Sequence, residues 1–132
     1  MNESTQAQVA TAVRGVLGAI TQAQDAGRTD DVVALYAKDA VLEVPGMGSF
    51  EGHDALREAF KGWEPTAPQK HVVANTVIVA ISATEATATS DVTFFQRGEA
   101  GWAPQVVGRY EDTLRLQDGS WLVQRRVTTY SA

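Results

Sequence analysis

The strongest constraint on this chain is a change of hydrophobic period after Pro68. Residues Lys70 to Ser82, Glu85 to Arg97, Trp102 to Gln117 and Ser120 to Tyr130 form four β-rich runs, linked by Ala83-Thr84, by Gly98-Glu99-Ala100-Gly101 and by Asp118-Gly119. Links this short suit hairpins, so the runs predict a consecutive antiparallel meander. Because the runs are long, the sheet is expected to bend strongly around whatever covers one of its faces.

The N-terminal half must supply that cover. Between about Ser4 and Ala26, Val9, Val13, Val16, Leu17 and Ile20 recur at helical spacing, and Gly27 can take the left-handed conformation that closes a helix. Thr29-Asp30-Asp31 offers an N-cap and first-turn acids for a short second helix whose apolar side is Val32, Val33, Leu35 and Tyr36. Asp39 to Val44 reads as a strand, broken at Pro45-Gly46 and followed by an extended piece around Ser49-Phe50-Glu51. Gly52-His53-Asp54 opens a third helix, with Leu56, Phe60 and Trp63 on one side and Pro65 preventing its continuation. Helices first and a large sheet last define an α+β pattern. The expected architecture is a cone-shaped α+β barrel: three N-terminal helices packed on a strongly curved, mainly antiparallel sheet enclosing a pocket. At 132 residues the chain can hold one hydrophobic core, so a single domain over 1–132 is expected.

Composition narrows the chemistry. A net charge of −5 with eleven scattered basic residues leaves no footprint for a phosphate backbone, so no nucleic-acid partner is expected. The chain has no cysteine, and His53 and His71 alone are too few for a recognisable metal cluster. No metal and no cofactor are expected; the chemistry must use oxygen and imidazole groups. No apolar stretch approaches the roughly 20 residues that span a bilayer, and Met1 to Gln6 lacks the basic start and apolar core of a signal peptide. The expectation is a cytoplasmic protein without membrane contact.

His71 stands at the mouth of the first β-rich run. A strand period of two places His71, Val73, Asn75, Val77 and Val79 on one face, and two polar groups on a valine wall suit a pocket better than a sealed core. A histidine entering a strand is more often structural, and only a partner elsewhere in the chain would change that reading. Asp25 lies at the corner where the first helix ends, where its carboxylate can stay in water or point into a cavity. In the last run, Trp121 and Val123 mark the packed face, which leaves Arg126 either solvated, the reading alternation favours, or closing a polar pocket. Tyr110 and Asp112 share a face with Leu114 and Leu116, and a buried Asp112 would need a donor. Asp91 falls opposite Asn75 if the first hairpin is symmetric about Ala83.

Several segments together carry a family likeness: the helix pair ending near Asp25, Leu35-Tyr36-Ala37-Lys38-Asp39-Ala40 with Phe50-Glu51-Gly52, His71-Val72-Val73-Ala74-Asn75, and Gly108-Arg109-Tyr110-Glu111-Asp112 with Asp118-Gly119-Ser120-Trp121 and Gln124-Arg125-Arg126. Over nearly its whole length the chain resembles the SnoaL-like branch of the nuclear-transport-factor-two-like superfamily. It looks most similar to the group of scytalone dehydratase, bile-acid dehydratase and hexachlorocyclohexane dehydrochlorinase. That resemblance implies an Asp-His dyad falling on Asp25 and His71, and a pocket arginine falling on Arg126. The implied activity is that of a small-molecule lyase or isomerase, dehydratase-like, abstracting a proton from a small hydrophobic substrate. Asn75, Arg126, Leu42, Trp63 and Tyr110 would contact that substrate. The other readings on the same scaffold are a non-catalytic ligand-binding or assembly domain, and an epoxide hydrolase or polyketide cyclase-like enzyme. Ile20 stands where the dehydrochlorinase carries a lysine and the dehydratases a tyrosine, which leaves the leaving-group acid unassigned. The resemblance also implies a homo-oligomer, dimer or trimer, formed through the outer sheet surface.

Overall fold

The computed structural model describes residues 1–131. Asn2 caps helix α1 (Glu3–Asp25), accepting a hydrogen bond from the Thr5 N–H at 2.8 Å. The predicted stripe of α1 is buried through Val9, Val13, Leu17 and Ile20. The helix closes where Gly27 takes φ 72° and the Arg28 N–H returns to the Ala23 carbonyl at 2.9 Å. Helix α2 (Thr29–Ala34) is shorter than expected: Tyr36 belongs to the next strand, and the Thr29 hydroxyl bonds Glu64 at 2.9 Å instead of capping.

Strand β1 (Tyr36–Val44) turns through Gly46 into β2 (Gly48–Glu51), and α3 (Gly52–Gly62) buries Leu56 and Phe60. His53 Nε2 lies 2.7 Å from the Tyr36 carbonyl oxygen, tying α3 to the start of β1. The meander follows as β3 (Gln69–Ala80), β4 (Glu85–Gly98), β5 (Gly101–Gln117) and β6 (Ser120–Tyr130). All three hairpins form, the last through Asp118 and Gly119 at φ 50° and 83°, the pair of left-handed residues that a twisted two-residue hairpin requires.

The sheet order is β2-β1-β6-β5-β4-β3, antiparallel except where β1 runs parallel to β6. The fold is the expected α+β cone, three helices on a curved, mainly antiparallel sheet, and the sheet is open, with β2 and β3 at its edges. Helix α1 lies alongside β3 and covers part of that edge. Gln6 donates to the Ile78 carbonyl at 3.1 Å and accepts from the Ala80 N–H at 2.9 Å, occupying backbone groups that an edge strand otherwise leaves free.

Three bulges bend the meander. One extra residue lies in β3 between Ala74 and Val77, one in β5 between Val106 and Pro104, and one in β6 between Val123 and Arg125. Each reverses which side of its strand faces inward, because a strand alternates with a period of two. Among the described residues no helix is long and apolar enough to cross a membrane.

Candidate active site

The cone encloses a cavity of about 410 Å³. That volume lies within the range of small-molecule sites. Its far wall comes from Tyr36 and Leu42 on β1, and the opposite wall from His71 on β3 with Val92 and Phe94 on β4. Tyr110, Arg126 and Thr128 line its floor from β5 and β6. Trp63, just past the end of α3, stands edge-on to both Phe60 and Phe50, with ring centroids 5.3 and 5.5 Å apart. These T-shaped contacts hold an aromatic side to the cavity.

His71 and Asp25 meet because α1 ends above the start of β3. Asp25 Oδ1 lies 2.6 Å from His71 Nδ1, and Oδ2 accepts the backbone N–H of His71 at 2.7 Å. Gln69 adds a third hydrogen bond, Nε2 to Oδ1 at 3.0 Å. Burial works to raise the Asp25 pKa, but the bonds from the His71 ring, the His71 backbone and Gln69 outweigh it and hold the carboxyl below its usual range. A carboxylate oxygen can only accept, so the Nδ1 facing it carries the hydrogen of the neutral ring and Nε2 keeps the lone pair. The imidazole stacks on Phe94 with centroids 4.7 Å apart. Its side chain is 14% exposed, enough to face the cavity while Asp25 stands behind it.

Arg126 is buried, not solvated. Its Nε and Nη2 donate to the two carboxylate oxygens of Asp112 at 2.7 and 3.0 Å, and its guanidinium carbon lies 3.8 Å from the centroid of the Tyr110 ring. The reason is the extra residue Gln124. Alternation would put Arg126 opposite Val123, but the bulge lets Val123, Arg126 and Thr128 all face inward. Burial alone would lower the Arg126 pKa; the Asp112 carboxylate more than reverses that and keeps the guanidinium charged. Burial also raises the Tyr110 hydroxyl.

Asn75 is a second correction: it does not line the cavity. It occupies the β3 bulge with φ 53°, is exposed, and donates to Asp91 at 2.8 Å on the outer surface. Beyond the bulge the faces are exchanged, so Val77 and Val79 point outward while Thr76 and Ile78 take the inner positions. Leu42, Trp63, Tyr110 and Arg126 do line the cavity. Sequence reasoning missed Phe94, Thr128 and the part of Gln69 in holding Asp25. The signal for Phe94 was the hairpin register: it pairs directly with His71, one residue away from the partner a symmetric hairpin supplies.

An open α+β cone with an internal cavity and a carboxylate-imidazole pair at its wall places the protein in the nuclear-transport-factor-2-like class of folds. The chain belongs to the SnoaL-like domain family, whose model matches residues 5–127. Solved structures agree on the fold. A Mycobacterium tuberculosis protein of unknown function has a TM-score of 0.88 at 19% identity, covering 96% of this chain and 78% of its own. A Novosphingobium aromaticivorans protein provisionally named scytalone dehydratase has a TM-score of 0.89 at 22% identity, covering 99% and 89%. An NTF2-like protein with a cystatin-like fold from the same organism has a TM-score of 0.83 at 17% identity, covering 91% and 80%. Comparison with curated proteins finds no match.

Proposed function

We propose that this protein is a cytoplasmic, cofactor-free lyase or isomerase, dehydratase-like in its chemistry, that removes a proton from a small hydrophobic substrate held in the cavity. His71 is the general base and Asp25 its orienting partner; Leu42, Trp63, Tyr110 and Arg126 contact the substrate. The observation that carries this reading is the 2.6 Å contact between Asp25 Oδ1 and His71 Nδ1, which leaves Nε2 as the basic nitrogen of a residue in the cavity wall. When Nε2 takes a proton, the imidazolium forms beside a carboxylate that offsets its charge. A base positioned in this way contributes roughly two to four orders of magnitude in rate.

The rest of the wall favours some reactions over others. Arg126 is committed to Asp112 through both of its hydrogen bonds, and Ile20 is fully buried in the core. Neither offers net positive charge to an expelled halide, whereas isomerisation, or loss of water with the His71 imidazolium returning its proton to the departing hydroxyl, needs none. The dehydratase name of one structural neighbour supports the same chemistry by analogy alone. Val72, Val77, Val79 and Val107 stay exposed on strands of the outer sheet face, which supports self-association as a dimer or trimer through that face.

A screen of hydroxylated ring compounds tests the assignment. The wild-type protein is expected to turn over at least one of them, and His71→Ala and Asp25→Ala to abolish that turnover while remaining folded at the assay temperature, Asp25→Ala with a lowered Tm because three hydrogen bonds are lost. Full activity in both variants would falsify the mechanism. Binding of such compounds with no turnover in the wild type would instead identify a non-catalytic ligand-binding domain.

A further inference from the structure

Gln69 is committed at one end of its amide and open at the other. Its Nε2 donates to Asp25 Oδ1 at 3.0 Å. A carboxylate oxygen can only accept, so the amide cannot turn over without setting its own oxygen against that of Asp25. The nitrogen is thereby held toward Asp25, and Oε1 is left as an acceptor of fixed direction. Among the described residues no protein group donates to Oε1, and the one side-chain atom buried without a partner lies elsewhere, on Tyr36. Oε1 is therefore open to a ligand, on a residue that lines the cavity.

Gln96 faces it. The two residues are register partners on β3 and β4 and both line the cavity. Such partners hold their Cβ atoms about 4.5–5.5 Å apart, so one substituent reaches both amides. The Gln96 side chain makes no hydrogen bond among the described residues and none of its amide atoms is sealed, which leaves it able to turn its N–H toward an oxygen placed between them. His71 is the next inward residue along β3, roughly 7 Å on, and Val92 and Phe94 continue the wall as apolar surface. An acceptor that cannot flip, beside an amide that can, is matched by a group that both donates and accepts. An anion has no hydrogen for Gln69 Oε1 and meets the Asp25 carboxylate behind it. A cation finds no free counter-charge in the two amides, and both Asp25 oxygens are already engaged.

The geometry points to Gln69 and Gln96 as an alcohol-binding subsite beside His71: the cavity takes a neutral, mainly apolar ring compound whose hydroxyl donates to Gln69 Oε1 and accepts from Gln96 Nε2. This rests on the cavity being the substrate site, but not on His71 performing the chemistry.

Calorimetric titration of the full chain with 1-tetralol, 1-methoxytetralin and tetralin tests it. The three share one ring system and carry a hydroxyl, an ether oxygen that can only accept, and neither. The wild-type protein is expected to bind tetralin, and to bind the alcohol about tenfold more tightly than the ether, the usual scale of one buried hydrogen bond. Gln69→Met is expected to erase that preference by weakening the alcohol alone; it loses a bond to Asp25 and is titrated below its own Tm. Gln96→Met is expected to weaken alcohol and ether alike, to leave tetralin unchanged, and to melt as the wild type does. The proposal is overturned if the wild type binds alcohol and ether equally, or if Gln96→Met binds all three probes as the wild type does. A preference that survives in Gln69→Met overturns it too, since the ether is then excluded by size. Tighter binding of the 1-aminotetralin cation than of the alcohol would show that carboxylates read the ligand, with the same result. Tetralin separates the two readings. A wild type that binds none of the probes loses the cavity as substrate site and the subsite with it, whereas one that binds tetralin without favouring the alcohol loses the subsite alone.

Discussion

One carboxylate holds His71 twice: Asp25 takes the ring nitrogen Nδ1 on one oxygen, at 2.6 Å, and the backbone N–H of the same residue on the other, at 2.7 Å. The side-chain bond fixes the tautomer, and the backbone bond fixes where the strand begins relative to the end of α1. Ring and helix are thereby locked together, so the basic nitrogen is pre-aimed without ordering a flexible loop.

The same clamp makes stability depend on acid. The folded pKa of Asp25 lies below the ordinary 3.8, because hydrogen bonds from His71 and Gln69 outweigh the effect of burial. A lowered carboxyl pKa contributes stability that is present above the unfolded value and lost as pH falls through the folded one. The urea midpoint of the wild type is therefore expected to exceed that of Asp25→Asn at neutral pH, with the gap narrowing below about pH 4. A gap that widens on acidification would contradict the assignment.

The Arg126–Asp112 pair predicts a different signature. Its side chains are 3% and 0% exposed, so removing either one strands a buried charge. Arg126→Met or Asp112→Leu alone is expected to cost about 3–5 kcal/mol in urea denaturation. The double substitution is expected to recover most of that loss, since no charge is then left unpaired. A double variant as unstable as the two single costs added together would show that the pair contributes through packing instead.

Asn75 supplies a test of where the cavity ends. At φ 53° it occupies a backbone conformation that a Cβ disfavours, so Asn75→Ala is expected to destabilise by about 1 kcal/mol. Asn75→Gly, which has no Cβ to strain, is expected to be close to neutral. Because the side chain bonds Asp91 on the outer surface, neither change is expected to alter ligand affinity. An affinity change in Asn75→Gly would place this side chain at the ligand after all.

Much of the fold was legible in local pattern. The α1 stripe from Val9 to Ile20, the closing Gly27, the period change at Pro68 and the three short links each follow from side-chain spacing or from a residue's backbone preference. The positions that failed share one cause. Asn75, Val77, Val79 and Arg126 were assigned to faces by simple alternation, and each lies at or beyond a bulge that reverses it. Beyond the β3 bulge the symmetric register does hold, with Val77 opposite Thr89; before it, every partner is displaced by one, so Asp91 faces Ala74 and Phe94 faces His71. A bulge is paid for by pairing with a neighbouring strand, and neither Asn75 nor Gln124 announces one in its own segment.

By itself, then, the sequence determined the elements, their order and the α+β class, because hydrophobic period and turn chemistry act over a few residues. Which polar side chains enter the cavity was decided only in the tertiary structure. Asp25 and His71 are 46 positions apart and meet where a helix end crosses a strand start, and Arg126 turns inward only because Gln124 interrupts its strand.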